Sequence, residues 1–238
     1  PSDCFKHLVL ACLLQHVAAD AAPFTYVDAH AGAGLYDLAA SGEGDGGPGH
    51  SFADGVGRLP RGARTAEASG GSRGREALPP PLERYLAAVR ACGASLGGAP
   101  DGSEGRRHCC PGSPAVALQW LRPQDRAVLF EANASVCAEL RGNTSRMAPP
   151  GGPDVEVLEE DSYRWLTRPA GHDFAGRGLV LLDPPYDSYD SYTLWNLYIL
   201  RHLRQTWPSS CVALWYPCRD AAERAGLHHR ARRLGVGD

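Results

Sequence analysis

The chain has 238 residues, 43% of them apolar, and a formal net charge of −3 at pH 7. This length and apolar content suffice for a buried core, so the sequence is that of a globular protein. The negative net charge gives no overall attraction to nucleic acid, so nucleic-acid binding would require a local patch.

The start of the chain predicts a helix, a strand and a Gly-rich turn. Apolar residues recur at helical spacing from about residue 3 to 19. After Pro23, the segment Phe24–Asp28 predicts a strand that continues into His30-Ala31-Gly32-Ala33-Gly34. Glycines let backbone N–H groups approach a ligand, although such a turn can also be a plain tight connection.

The composition changes between residues 39 and 107, where Gly, Pro, Ser, Ala and Arg dominate. Only residues 82–92 keep a helical periodicity in this region. We therefore expect residues 39–107 to be an insert that is partly disordered.

From residue 108 onward, helical segments alternate with short apolar strands. The predicted helices are 115–121, 134–141, 162–167 and 191–205, and the predicted strands are 127–131, 155–159, 178–183 and 211–216. Segment 178–183 is continuously apolar before its terminal acid, which is typical of a central strand covered on both faces. Together with the first strand, this alternation predicts an α/β fold with five parallel strands in a doubly wound sheet.

Acidic residues follow four of these strands, at Asp28, Glu131, 159–161 and Asp183. The carboxyl ends of parallel strands meet at one edge, where such sheets bind their ligands. Glu131 stands where this type of sheet holds a ribose hydroxyl, although an acid at a helix N-terminus is an equal reading of that residue alone. The pattern favours a functional crevice over four unrelated turns.

The sequence Asp183-Pro184-Pro185-Tyr186 follows the central strand. Two prolines remove backbone donors and leave the Asp183 carboxylate and the Pro184 carbonyl as acceptors for a planar amino group. Adenine N6 is a poor nucleophile that such acceptors would activate by hydrogen bonding and positioning, while Tyr186 would stack on the base. Asp-Pro-Pro also occurs as a plain turn, so the prediction depends on the strand before it and the Gly-rich turn upstream.

The chain resembles one family, the large-subunit (23S) rRNA adenine-N6 methyltransferases known as RlmJ. The shared segments are residues 3–7, 26–34, 111–114, 183–186 and 213–217, in the family's order. The resemblance implies a Rossmann-like class I methyltransferase fold, with residues 1–38 carrying the N-terminal helix, first strand and cofactor loop, and 108–238 the remainder of that domain. It extends over nearly the whole chain except 39–107, where the family has a small helical insert.

The resemblance also implies roles for individual residues. The family's contacts to S-adenosyl-L-methionine would fall on His7, His30, Ser113, Glu131, Asp161, Ser162 and Asp183. Catalysis would involve Asp183, Pro184 and Tyr186, and the substrate would contact Lys6 and Tyr186. Ser162 replaces the family's usual Gly, a change that should be tolerated unless the position requires a positive φ.

The expected function is N6-methylation of adenine in 23S-type rRNA, either protein-free or in an early precursor. Alternatives are methylation of DNA adenine or of a protein glutamine, or a non-catalytic RNA-binding remnant. The family's substrate-contacting N-terminus and last two strands would lie outside residues 1–238, so we expect an exposed apolar edge at 211–216 and marginal stability.

The eight cysteines lack zinc spacing, so we expect free thiols in a reducing compartment and no metal site. That compartment could be the cytoplasm or an organelle with bacterial-type ribosomes. No signal peptide or membrane span is recognised, and we expect a monomer that does not bind membranes.

Overall fold

A computed structural model describes residues 2–37, 78–95, 109–168, 174, 176–186, 189–218 and 220–235, and the statements below concern these residues. The helices are α1 (Ser2–Ala18), α2 (Pro80–Ser95), α3 (Ser113–Ala117), α4 (Ala134–Met147), α5 (Ser162–Leu166), α6 (Tyr189–Thr206) and α7 (Ala221–Arg233). The strands are β1 (Phe24–Asp28), β2 (Leu35–Asp37), β3 (Cys109–Pro111), β4 (Arg126–Phe130), β5 (Asp154–Leu158), β6 (Arg177–Leu182) and β7 (Ser210–Leu214).

The predicted doubly wound parallel sheet is confirmed. Its strand order is β5-β4-β1-β6-β7, and each neighbouring pair is parallel. The chain builds outward from β1 through β4 to β5, and then crosses back to add β6 and β7 on the other side. The order therefore reverses between β1 and β6, which is where a sheet of this type opens a ligand crevice.

Alternating side chains of the central strands supply a core on each face of the sheet. In β6, Leu179 and Leu181 face the layer containing α1, α2 and α3, whereas Val180 and Leu182 face the layer containing α5 and α6. All four are at most 3% exposed, as the continuously apolar segment predicted. Gly178 begins this run because Trp207 occupies the space of its missing side chain: an added Cβ would lie 2.1 Å from Trp207 Cζ2.

Helix α4 is longer than the predicted 134–141. The helix does not end at Gly142 but continues to Met147, because buried polar residues in its last turns form hydrogen bonds. Asn143 Nδ2 donates to the Ala33 carbonyl at 2.7 Å, and Thr144 Oγ1 donates to the Leu140 carbonyl at 2.8 Å. The extension therefore holds the Gly-rich turn against the helix.

Two short strands were missing from the sequence-based prediction. Strands β2 and β3 form an antiparallel ladder in which Leu35 pairs with Pro111 and Asp37 pairs with Cys109. Each has only three residues, too few for a strand periodicity to be recognised. This ladder places the end of the Gly-rich turn beside the segment that leads to Ser113.

The expectation that all cysteines are free thiols is wrong for Cys92 and Cys109, which form a disulfide between α2 and β3. The fold packs α2 against β3 and brings the two Cα atoms to 6.0 Å, within bonding reach. Sequence spacing does not reveal this proximity. The remaining six cysteines are free.

The predicted helix 82–92 is confirmed within α2. Residues 39–77 and 96–107 of the predicted insert lie outside the described residues, so the division into domains remains a prediction. Among the described helices, none combines the length and apolar character needed to span a bilayer.

Candidate active site

The Gly-rich turn connects β1 to β2 at the carboxyl edge of the sheet. Gly32 and Gly34 adopt φ of +58° and +74°, a region that favours glycine. Any Cβ at Gly32 would collide with Tyr36, since it would lie 2.1 Å from the Tyr36 hydroxyl oxygen. The turn is tied to β4 by the Ala31 N–H on the Phe130 carbonyl at 2.9 Å. These contacts hold its backbone in one shape.

Beneath this turn lies a buried polar network centred on Asp28, which is fully buried at the end of β1. Its carboxylate accepts from the Tyr26 hydroxyl at 2.8 Å and from the His30 N–H at 3.3 Å, and hydrogen-bonds with the Ser113 hydroxyl. Burial raises the pKa of Asp28 to about 6, although these three hydrogen bonds act to lower it. Ser113 is thus hydrogen-bonded to Asp28, which lies beneath the Gly-rich turn, and the sequence did not predict this contact.

The Asp183 carboxylate follows β6, the strand next to β1, and forms an ion pair with Lys6 of α1. Lys6 Nζ also lies 3.1 Å from Asp3 Oδ1. Burial raises the pKa of Asp183, while Lys6 opposes that shift. For Lys6, burial acts to lower the pKa, but the two carboxylates outweigh burial and the net shift is upward. The predicted catalytic acid and the predicted substrate-contacting lysine are therefore in direct contact.

His30 joins the Asp183 loop to the Gly-rich turn. Its Nδ1 accepts the Asp183 N–H at 3.3 Å, which assigns the ring proton to Nε2 in the neutral form. Burial lowers the pKa of His30 to about 4, against the Asp161 carboxylate, which acts to raise it. Two predicted site residues from separate segments, His30 and Asp183, are thus joined directly.

His7 lies one residue after Lys6 and is 4% exposed. Burial and the Lys6 charge lower its pKa to about 3, so the ring is neutral. Its Nδ1 is buried without a hydrogen-bond partner among the described residues. Since buried polar atoms are seldom left unpaired, this nitrogen marks a position where a bound molecule could donate a hydrogen bond.

The remaining predicted cofactor residues lie at the ends of β4 and β5. Glu131 directly follows β4, and its Oε1 accepts the Asn133 N–H at 2.8 Å. Asp161 caps α5, where its carboxylate accepts from the Tyr163 N–H at 2.9 Å. Ser162 begins that helix and is 4% exposed. Its φ is not positive, so serine fits where the family usually has glycine.

Pro184 is buried. Tyr186 has a φ of +57°, and it is the one non-glycine residue with a positive φ among those that the structure describes. Such a backbone persists only where surrounding contacts hold it. The Tyr186 hydroxyl donates to the Trp215 carbonyl at 2.7 Å and accepts from Asn196 Nδ2 at 3.0 Å. Asn196 Oδ1 accepts in turn from the Tyr163 hydroxyl.

Sequence reasoning missed Asn196. It lies in the middle of α6, is 1% exposed, and clamps two tyrosines from different segments. An asparagine in an amphipathic helix carries no signal of this kind, because its partners are distant in the sequence.

The site therefore combines a rigid glycine turn, a buried and a half-buried neutral histidine, and a carboxylate beside a donor-poor proline pair. In a partly buried setting, such an acceptor interacts more strongly with a donor than it would in water. Within the described residues, no cluster of His, Cys, Asp and Glu could hold a metal ion.

The chain was compared with known proteins. The family model described as "Ribosomal RNA large subunit methyltransferase D, RlmJ" matches residues 21–236. Ribosomal RNA large subunit methyltransferase J from Haemophilus influenzae is 29% identical over 218 residues, and its Escherichia coli counterpart is 28% identical over 217. Each match covers 91% of this chain and 66% of the relative, so the chain spans just under two thirds of their length.

A crystal structure of protein LPL1258 from Legionella pneumophila has the same fold, with a TM-score of 0.69 and 21% sequence identity. The match covers 98% of this chain and 74% of that protein.

Proposed function

The chain belongs to the RlmJ family of ribosomal RNA large subunit methyltransferases, and on that premise we propose that it transfers a methyl group from S-adenosyl-L-methionine to adenine N6 in 23S-type rRNA. The observation that carries this proposal is the part-buried Asp183 carboxylate at the carboxyl edge of the sheet. The backbone N–H of the same residue is bonded to His30 of the Gly-rich turn, which holds the carboxylate next to that turn.

The residues at the strand ends fit S-adenosyl-L-methionine. The glycine turn would receive one end of the cofactor, and the unpaired His7 Nδ1 would accept a hydrogen bond from its amino group. Glu131, whose carboxylate has acceptor capacity beyond its bond to Asn133, would hold the ribose hydroxyls. Asp161 and Ser162 would line the adenine end. When bound, the cofactor supplies an electrophilic methyl group.

Asp183 and the Pro184 carbonyl would accept the two hydrogens of the target amino group. Ionised Asp183 is an acceptor only, and the neighbouring Lys6 favours that ionised form. Lys6 donates to Oδ2 of this carboxylate, so we expect the adenine amino group to displace or share that contact, or to bind the other oxygen. Tyr186, held at its hydroxyl, would present its ring to the base.

The test is to incubate the protein with methyl-labelled cofactor and protein-free 23S rRNA, and to quantify N6-methyladenine by mass spectrometry of nucleosides. The Asp183→Ala variant should lose at least about 100-fold in rate, the scale of a positioned electrostatic contact. Parallel reactions with duplex DNA and with a glutamine peptide should give no product.

Asp154→Ala provides a matched control, because Asp154 is an aspartate at the opposite edge of the sheet with a 75% exposed side chain. It should keep wild-type activity. Absence of N6-methyladenine with the wild-type protein, or equal loss in both variants, would contradict the proposal. Titration calorimetry with the cofactor alone separates a binding-competent but inactive chain from one that binds no cofactor.

A further inference from the structure

We propose that an aromatic row on α6, formed by Tyr192, Trp195, Tyr198 and His202, stacks against unpaired nucleotides next to the target adenine. This inference rests on the proposed function, which requires the adenine to be splayed out of the RNA. The neighbouring nucleotides of the strand then need a surface of their own.

The middle of the row is accessible for such contacts, whereas Tyr192 and His202 at its ends are half-buried. Trp195 and Tyr198 are 51% and 50% exposed, although large aromatic side chains usually lie inside a protein of this size. Their ring centroids are 5.9 Å apart with an angle of 86° between the rings, and the Tyr198 ring lies nearly parallel to His202 at 6.2 Å. Successive rings along one helix provide several faces on which bases can stack.

The row is continuous with the proposed catalytic motif. The Tyr186 ring lies 5.9 Å from Tyr192 at the first turn of the row. Tyr163 then contacts both Tyr192 and Trp195, each at 6.3 Å between centroids. A strand whose target base reaches Asp183 would therefore have its neighbouring bases beside these rings.

The charge of this part of the chain suits a polyanion. After Asp190 in the first turn of α6, the sequence contains no Asp or Glu up to residue 218, although the whole chain has a net charge of −3. The same stretch carries Arg201 and Arg204, both exposed on α6. Rings that accept any base, together with cations that contact phosphates, are the combination that binds single-stranded nucleic acid.

The chain offers a control that distinguishes base stacking from a general apolar contact. Leu194 precedes Trp195, is 62% exposed, and has no ring. Docking of another protein or of a second copy of the chain would depend on Leu194 as well as on Trp195. Stacking of bases would depend on Trp195 and the other rings of the row, but not on Leu194.

The experiment measures the affinity of the wild-type protein for a fluorescein-labelled single-stranded oligoadenylate RNA by anisotropy, beside a fully paired RNA of the same length. Trp195→Ala should weaken binding of the single strand by about 5- to 150-fold, the loss expected for one base stack. Leu194→Ala should change it by less than about 2-fold. Trp195→Phe should retain most of the affinity, because a ring remains, but should reduce quenching of tryptophan fluorescence by the RNA.

Three results would overturn the inference: no binding of the single strand by the wild type, equal effects of Trp195→Ala and Leu194→Ala, or equal affinity for paired and unpaired RNA. The melting temperature of each variant is measured in parallel, so that an unfolded variant is recognised. If the wild type binds the single strand in this manner but forms no N6-methyladenine, the proposed reaction fails while the stacking surface stands. If it methylates rRNA and Trp195→Ala leaves both affinity and KM unchanged, the stacking surface alone fails.

Discussion

Asn196→Leu provides a direct test of the clamp that holds Tyr186. The substitution keeps the approximate shape of the side chain but removes the acceptor of the Tyr163 hydroxyl and one partner of the Tyr186 hydroxyl. Tyr186 keeps its bond to the Trp215 carbonyl, whereas Tyr163, which is 8% exposed, loses the acceptor that Asn196 provided. The main cost is therefore the desolvated hydroxyl of Tyr163.

The expected loss is about 1–3 kcal/mol in the free energy of unfolding, the cost of leaving one buried polar group unsatisfied. For a chain of this length, that corresponds to a fall in melting temperature of about 2–4 °C for each kcal/mol. Urea denaturation followed by circular dichroism measures the free energy, and calorimetry gives the melting temperature.

The double variant Asn196→Leu with Tyr163→Phe sharpens the test. It removes both ends of one hydrogen bond and should recover part of the lost stability, because replacing both partners by apolar groups is nearly neutral. A double variant no more stable than Asn196→Leu alone would refute the assignment of the cost to Tyr163.

Three further predictions concern stability. Asp28→Asn should become more stable relative to wild type as the pH rises from about 4 to 7. Burial raises the pKa of Asp28 in the folded protein to about 6. The contribution of Asp28 to the stability of the wild type is therefore fully present below about pH 3.9 and is lost as the pH rises through 6. The rise of the Asp28 pKa from its ordinary value to about 6 corresponds to about 3 kcal/mol. A difference in free energy of unfolding between the two proteins that does not change with pH in urea denaturation would contradict this prediction. Gly178→Ala should destabilise the protein by about 1–3 kcal/mol, because the added Cβ would collide with Trp207. Gly226→Ala on α7 should not, because a Cβ there meets nothing within 4 Å. Equal melting temperatures for the two variants would be inconsistent with this packing. Reducing the Cys92–Cys109 disulfide should lower the free energy of unfolding by about 3 kcal/mol. Thiol titration of the denatured protein should find six thiols before reduction and eight after it. Finding eight thiols before reduction would exclude the disulfide.

The parallel sheet could be predicted from the sequence because its signals are local. The apolar segment before Asp183 specifies a covered strand, and the alternation of helices and strands specifies parallel neighbours. The boundary of an element differs from its prediction where a tertiary contact overrides the local signal. Helix α4 passes Gly142 because the next residue, Asn143, is tied to the Gly-rich turn.

The candidate site could be predicted only in part. Asp183 was expected from its motif, and His30 and Lys6 from the family resemblance; the structure brings these three together. The Asn196 clamp and the contact between Ser113 and Asp28 depend on side chains far apart in the sequence, which periodicity cannot pair. The same limit explains the disulfide, since it depends on α2 packing against β3.

The short ladder of β2 and β3 has a consequence for how this chain can vary. Asp37 and Cys109 pair across it, so the two ends of the segment 38–108 are held side by side, while α2 within that segment packs into the core. The entropy of closing a loop grows only with the logarithm of its length, so lengthening or shortening the stretches on either side of α2 costs little. Such changes would stop at the ladder, where the Gly112 N–H is bonded to the Gly34 carbonyl at 2.8 Å. The stretches before and after α2 can therefore change in length while α2 stays in the core and the glycine turn keeps its geometry.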